Sequence, residues 1–226
     1  MSSTGTPALT PRKSPVQQRS SATVDAILEA TIQVLLREGK ERLTTTRVAE
    51  RAGVSVGTLY QYFPNKSSLL QATLRRHLDE VSETIRRVCA EQRNNPIAEM
   101  VESLIQAFFA AKMRDPKISA ALYSVSSDVD GWRIAQQTSK RALKEIVSLL
   151  ETAPEPLTKE PELIASMLQS MLNGVSRKLL ESPAPEKNFP SMLQELLFLA
   201  EVYVQACIAS PSRSGAARAG GRVSPS

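Results

Sequence analysis

The sequence predicts an all-α fold of about nine helices. Three observations carry that expectation. Apolar residues return every three or four positions in one segment after another, runs with strand-like alternation are nearly absent, and Pro, Gly and short polar residues stand where each helical pattern stops. With 226 residues, 42% of them hydrophobic, the chain can bury a substantial core and suits two small domains. No apolar run is long enough for a signal peptide or a membrane span, so the expected location is the cytoplasm and no membrane partner is expected.

Residues 1–20 are rich in Ser, Thr and Pro, carry Arg12, Lys13 and Arg19, and read as a disordered basic arm. Such an arm either lies along phosphates or stays a solvated tail. Residues 21–68 read as a three-helix head, residues 69–210 as a helical ligand-binding and dimerisation domain, and residues 211–226, without packable periodicity, as a disordered tail.

The head is the informative part. Thr44 or Thr45 can cap a first short helix whose inward face is Val48 and Ala49. Gly53 stands where that helix ends, suited to a left-handed residue that satisfies the last carbonyls without a Cβ clash. Val54 then plugs the turn, Ser55 caps a second helix, and Leu59 and Phe63, four apart, share its buried face. Val56, Gly57, Thr58, Tyr60, Gln61 and Tyr62 are left outward. Small residues and aromatic hydroxyls, where solvation alone would call for Lys and Glu, suit close approach to a duplex. Pro64 stops the helix, Asn65 caps the next one, and Lys66 lies in its first turn beside free N–H groups that favour phosphate. The whole of 44–66 therefore scans as a helix-turn-helix that can put its second helix into a major groove. The expected DNA-contacting set is Thr44, Thr45, Thr46, Arg47, Ser55, Val56, Gly57, Thr58, Tyr60, Gln61, Tyr62 and Lys66.

The same residues resemble the tetracycline-repressor (TetR) family of regulators. Thr44, Ala52-Gly53-Val54-Ser55, Gly57-Thr58-Leu59-Tyr60, Tyr62-Phe63 and Lys66 match its pattern at fixed offsets over roughly residues 23–70, about a fifth of the chain. The resemblance implies that the second helix reads bases while Thr45, Tyr60, Tyr62 and Lys66 touch phosphates. It also implies a four-helix dimer interface built from the last two helices of each subunit. Val56 departs from the family, which often has a polar or basic side chain there, so a thymine-methyl contact replaces a base hydrogen bond. Ser67 and Ser68 depart too, standing where an acid is common.

Charge is partitioned along the chain. Residues 1–76 carry 11 Lys/Arg against 5 Asp/Glu, residues 77–210 carry 14 against 18, and the tail carries 3 against none. A basic N-terminal third is the electrostatic footprint of a nucleic-acid module, and the acidic remainder is not.

A stripe of Leu70, Leu74, Leu78, Val81, Ile85 and Val88 marks a long helix over 65–92, the physical link between head and remainder; His77 lies on it and reads as a packed histidine. Helices follow over 97–113 and 116–123, then a loop over 124–131, a helix over 132–150 and a Pro-bearing loop over 153–161. The last two helices, 161–181 and 189–209, have apolar faces too broad for one stripe. Part of that surface, expected at Leu168, Met171, Leu172, Val175, Leu196, Leu199 and Tyr203, is assigned to a second subunit. A ligand pocket is expected among the middle helices, near Phe108, Phe109, Met113, Tyr123, Trp132 and Met167.

Cys89 and Cys207 have no metal-ligand spacing and read as buried thiols. With one histidine, no metal cluster, no Gly-rich phosphate loop and no paired acids, an enzyme is unsupported and no cofactor or metal is expected. The expected function is a homodimeric repressor of a pseudo-palindromic duplex operator, released by an unidentified small-molecule effector. A ligand-independent regulator or activator on the same fold is the alternative.

Overall fold

The computed structural model describes residues 15–209, which form nine α-helices and one 3-10 turn. They are α1 (Pro15–Glu38), α2 (Thr45–Ala52), α3 (Val56–Tyr62), α4 (Lys66–Glu91), α5 (Ile97–Met113), α6 (Pro116–Val125), the 3-10 turn Ser126–Val129, α7 (Gly131–Leu150), α8 (Pro161–Leu180) and α9 (Pro185–Gln205). None of these helices is long and apolar enough to cross a membrane.

Most boundaries lie where the residues place them, and the differences have local causes. Helix α1 begins at Pro15, so 15–20 are helical rather than part of the arm; Pro at a helix start loses no hydrogen bond, and the polar run after it opposes nothing. The arm over 1–14 and the tail over 211–226 lie outside the described residues. The segment expected as a loop over 124–131 instead prolongs α6 to Val125 and winds into the 3-10 turn, because Val125 and Val129 are buried and need a compact path. Helix α9 starts at Pro185, four residues early, and carries Pro190 inside. Pro185 falls in the first turn, where no intrahelical donor exists to be lost, whereas Pro190, the sixth residue, forgoes one bond to the Glu186 carbonyl.

Two buried clusters organise the helices. The head core gathers Ile27, Val34 and Leu35 of α1, Val48 of α2, Leu59 of α3 and Leu69, Leu70 and Leu74 of α4. It does not stop at residue 68: Leu122 and Val125 of α6, Val129 of the 3-10 turn and Ile134 of α7 belong to it as well. The body core begins further along α4 with Val81, Ile85, Val88 and Cys89 and takes in α5, the end of α7, α8 and α9. One helix therefore runs through both cores.

Ion pairs and hydrogen bonds add orientation. Arg51 of α2 donates to Gln33 of α1 at 2.6 Å, and Arg76 of α4 reaches Asp25 and Glu29 of α1, each at 3.7 Å. At the opposite pole the loop before α8 is tied in three directions. The Glu155 carboxylate accepts the backbone N–H of Ile97, at 3.2 and 3.3 Å to its two oxygens, and so caps α5, whose own Pro96 has no capping side chain. Thr152 Oγ1 accepts Asn94 N–H, and Thr158 N–H and Ala209 N–H bond across to Cys207 and Pro156 carbonyls, both at 2.8 Å. Both cysteines are buried, and burial pushes the Cys89 thiol up to about 12, a packed sulfur rather than a nucleophile.

Gly131 fixes the start of α7 against α4. A Cβ there would meet Ser126 O at 2.6 Å and Leu74 Cδ2 at 2.8 Å, so the 3-10 turn's backbone and the Leu74 side chain of α4 lie closer than any Cβ allows. Gly131→Ala is expected to lower stability by about 1–3 kcal/mol, the range for overpacking a tight site. A chemical-denaturation midpoint equal to wild type would show that the contact yields without cost.

His77, between α4 and α6, is held neutral down to about pH 4, chiefly by burial and secondarily by Lys112 and Arg114, with Asp115 opposing. Ser119 donates its hydroxyl to the Lys112 carbonyl at 2.8 Å, leaving His77 Nε2–H to donate to Ser119 Oγ at 3.3 Å. The folded value lies below the usual 6.5. The stabilisation is therefore full above that ordinary value and is lost as pH falls toward 4. His77→Gln should remove roughly 2–3 kcal/mol of that acid sensitivity. Parallel stability profiles of wild type and variant between these two pH values would contradict the assignment.

Candidate nucleic-acid interface and effector cavity

Local chemistry builds the head's outer edge. Thr44, extended at φ −126°, accepts the Arg47 N–H through its hydroxyl at 3.3 Å and so caps α2. Gly53 ends α2 in the left-handed region at φ 69° and returns its N–H to Glu50, while Val54 N–H bonds to Ala49. Ser55 then caps α3, its Oγ accepting Thr58 N–H at 2.9 Å and lying 2.8 Å from the Thr58 hydroxyl. Helix α3 has only seven residues, too few to hold itself in water. Its anchor is Leu59, fully buried, with Phe63 beside it at the cap. Burying a leucine contributes about 1.5–3 kcal/mol, the scale needed to hold two helical turns in place.

The opposite face of α3 is open. Val56, Gly57, Tyr60 and Gln61 are exposed, Thr58 is half-buried, and Tyr62 lies half-buried against the head core. The Tyr60 hydroxyl sits 3.1 Å from that of Thr45 across the turn, so the two helices present a joined pair of hydroxyls. Thr46 is exposed beside it. Lys66 donates Nζ–H to the Lys40 carbonyl at 2.9 Å, which aims its charge along the edge formed by the α1–α2 loop. Asn65 and Ser68 form a reciprocal capping box at the start of α4. Ser68 thus has a structural task in the place where the resembling family often has an acid.

Arg47, exposed at the same edge, has partners within the head. It is paired with Glu38 and donates to the Arg42 carbonyl at 2.8 Å, which turns it toward α1 and the following loop. The sequence separation of nine residues gave no warning of this pair.

Between α4, α5, α6, α7 and α8 lies a cavity of about 300 Å³. Its apolar wall includes Leu78, Val81, Phe108 and Leu172, its polar wall Thr138, Gln169, Asn173 and Ser176. Of the residues expected at a pocket, Phe108 and Tyr123 line it. Phe109 does not: it is 1% exposed in the body core, edge-on to Phe108 and stacked on Phe189. Met113 packs on the body core, and Trp132 and Met167, 66% and 45% exposed, are on the outer surface. Helical spacing could not distinguish inward toward a void from inward toward a neighbour. A second depression of about 750 Å³, along α1 and α4, is broad, open and lined by both signs of charge, including Arg75, Arg76, Asp79 and Glu80. That mixture describes a solvated groove rather than a ligand site.

Sequence reasoning missed Lys112 and Arg177, the cavity's two cations. Lys112 stands four residues after Phe108, a spacing that places both on one helix face, and its ammonium lies 5.9 Å from the Phe108 ring centroid. Burial holds its pKa below the ordinary lysine range. Uncompensated burial of an ammonium costs several kcal/mol. Arg177 is at the mouth, over the Tyr123 ring at 5.6 Å and bonded to Glu181 at 3.0 Å.

The last two helices also sort differently from expectation. Leu168, Leu172 and Leu196 are buried in the chain's own core and are not available to a second subunit. Met171, Val175 and Tyr203 are half-buried against that core. The outward apolar face consists of Leu163 and Met167 of α8 with Phe198, Leu199 and Val202 of α9, each 45–58% exposed. The register of each helix, not its composition, decides which leucines face out.

Comparison with known proteins agrees with this geometry at both ends of the chain. The family described as "Bacterial regulatory proteins, tetR family" matches residues 27–73, and "Tetracyclin repressor-like, C-terminal domain" matches residues 96–203. The HTH-type transcriptional repressor KstR of Rhodococcus jostii is 35% identical over 96 residues, an alignment spanning 42% of this chain and 43% of the repressor. The HTH-type transcriptional regulator BetI of Vibrio atlanticus is 26% identical over 153 residues, 66% of this chain and 76% of BetI. A crystal structure of a transcriptional regulator from Rhodococcus sp. Rha1 superposes with a TM-score of 0.64 at 21% identity, covering 83% of this chain and 99% of that one. At that identity the superposition speaks for the fold.

Proposed function

This chain belongs to the tetracycline-repressor family and is a DNA-binding transcriptional regulator, and from that premise we propose that it is a cytoplasmic homodimeric repressor released by a small molecule. The observation that carries the reading is α4. It begins at Lys66, beside the exposed face of α3, and passes Leu78, Val81 and Ile85 along the cavity wall. A ligand there contacts the helix that holds the reading head.

Helix α3 enters the major groove with Val56 and Gln61 toward base edges, while Thr45, Tyr60 and Lys66 contact phosphate. Gln61 suits adenine, and Val56 suits a thymine methyl. No Lys or Arg lies between Arg51 and Lys66, and Arg47 is engaged by Glu38, so the bidentate cation contact to guanine is absent from this face. Two heads on one duplex require a dimer with half-sites about one helical turn apart. The exposed stripe of Leu163, Met167, Phe198, Leu199 and Val202 supports that dimer, since a contiguous apolar face of this kind marks an interface. The effector acts by binding more tightly to the head spacing that does not fit DNA; equal affinity for both spacings would shift nothing. A route for that coupling is short. Tyr123 lines the cavity while the adjacent Leu122 is in the head core, and Ala135 and Ile134 are related in the same way.

Lys66→Ala and Tyr60→Phe should weaken binding to selected operator and to random duplex alike, with the salt slope of Lys66→Ala reduced by about one ion. An altered sequence preference with an unchanged salt slope would remove Lys66 from the phosphate contacts. Operators selected from random DNA should be specified mainly at A·T pairs. G·C-dominated half-sites, bound with the same preference by a Val56→Ala, Gln61→Ala double variant, would show that another face reads the bases.

Phe198→Glu combined with Val202→Glu should give a monomer of unchanged helicity, with operator affinity reduced about tenfold or more through loss of the tethered second head. Sedimentation and circular dichroism together read this out. A wild-type monomer at micromolar concentration, or a double variant that remains dimeric, would contradict the interface.

A further inference from the structure

The wall of the cavity has a charge asymmetry. Among its described lining residues are two cations, Lys112 and Arg177, and no acid. Arg177 is 65% exposed and already bonded to Glu181 at 3.0 Å. Lys112 is different. Its side chain is half-buried, burial desolvates its ammonium, and no carboxylate lies within ion-pair distance of it among the described residues; the ammonium lies 5.9 Å from the Phe108 ring centroid. The groups around it do not compensate it: His77 is neutral, Arg114 is a further cation, and Asp115 spends a carboxylate oxygen on capping α6 through Ile118 N–H at 3.0 Å. Facing this cation across the void are hydrocarbon from Leu78, Val81 and Leu172 and the neutral amides of Gln169 and Asn173, of which Gln169 already donates to the Ser139 carbonyl at 2.9 Å.

A desolvated ammonium without a counter-charge attracts an anion most strongly where water is excluded, and a carboxylate forms the charge-assisted hydrogen bond that the protein itself omits. A cavity of about 300 Å³ holds roughly ten non-hydrogen atoms at the volume of about 30 Å³ per water-sized group. Accepting the effector-cavity reading on which it rests, we infer that the effector is an amphipathic monoanion: a carboxylate seated on Lys112, carried by an apolar body of about seven carbons lying along α4 and α8. Amines of the same shape are excluded by the wall cations, and alcohols leave the Lys112 charge uncompensated.

Octanoate, octan-1-ol and octylamine probe this directly with the full-length dimer, by calorimetry and thermal shift. Octanoate should bind at least tenfold more tightly than either analogue. Lys112→Met, which keeps the aliphatic stem, should cost octanoate at least tenfold while leaving octan-1-ol binding within twofold; Lys112→Arg should restore part of the loss. The comparison of the three ligands on wild-type protein needs no variant to fold. Octylamine binding as well as octanoate, octanoate affinity unchanged in Lys112→Met, or no octanoate binding at millimolar concentration would each overturn the anion assignment. Adding duplex selected from random DNA separates the two readings. If octanoate binds through Lys112 and the duplex stays bound, the anion site stands and release by this cavity fails. If octylamine fills the cavity and releases the duplex, release stands and the anion class fails.

Discussion

Everything in this fold depends on one uninterrupted ladder of backbone hydrogen bonds, the 26-residue α4. At about 1.5 Å per residue it is roughly 39 Å long, enough to traverse the molecule. Its first turns supply Leu69, Leu70 and Leu74 to one core and its later turns Val81, Ile85 and Val88 to the other. Packed interiors resist deformation, so a helix embedded in two of them transmits displacement between them rather than absorbing it. The Asn65–Ser68 capping box makes the head end of α4 well defined, and the absence of any interior Gly or Pro leaves it no place to bend.

Much of this was legible in the sequence, and the residues show why. Boundaries were clearest where a single residue has one conformational use: Thr44, Gly53, Ser55 and Asn65 all cap or terminate as their chemistry requires. Periodicity located α4, α5 and α8 within a residue or so because their apolar positions repeat over four or more turns. Where it failed, the missing information was three-dimensional. Val125 and Val129 stand four apart, a helical spacing, but the run of Ser and Asp around them reads as a loop; both are buried because the 3-10 turn packs against the head core. Leu168 and Leu199 are alike in composition and periodicity but opposite in exposure, since the direction each faces depends on a partner helix remote in sequence.

The site divides in the same way. The outer face of α3 could be read from local spacing because a short helix with Leu59 and Phe63 inward has its other residues outward by geometry alone. The cavity could not, since a void is defined by what five helices fail to fill. Arg47 and Lys112 both show a partner that local spacing does not reveal. A cation expected at DNA is paired with Glu38 on the surface of the head, and one hidden in an apolar helix faces the void. In each case the deciding partner lies on another element or is absent altogether, which no window along one chain reveals.

The loop that carries Thr152, Glu155 and Thr158 has a mechanical meaning beyond capping. By stitching the α4–α5 turn, the end of α7 and the end of α9 together, it makes the pole farthest from α3 the stiff end of the body. A rod clamped at one end is a cantilever. Deflection imposed partway along it grows toward the free end, so a rotation of roughly 3° about the clamp carries Lys66 through about 2 Å, given the length of α4. On the proposed release mechanism, this loop would direct movement toward the head instead of letting it dissipate at the opposite pole.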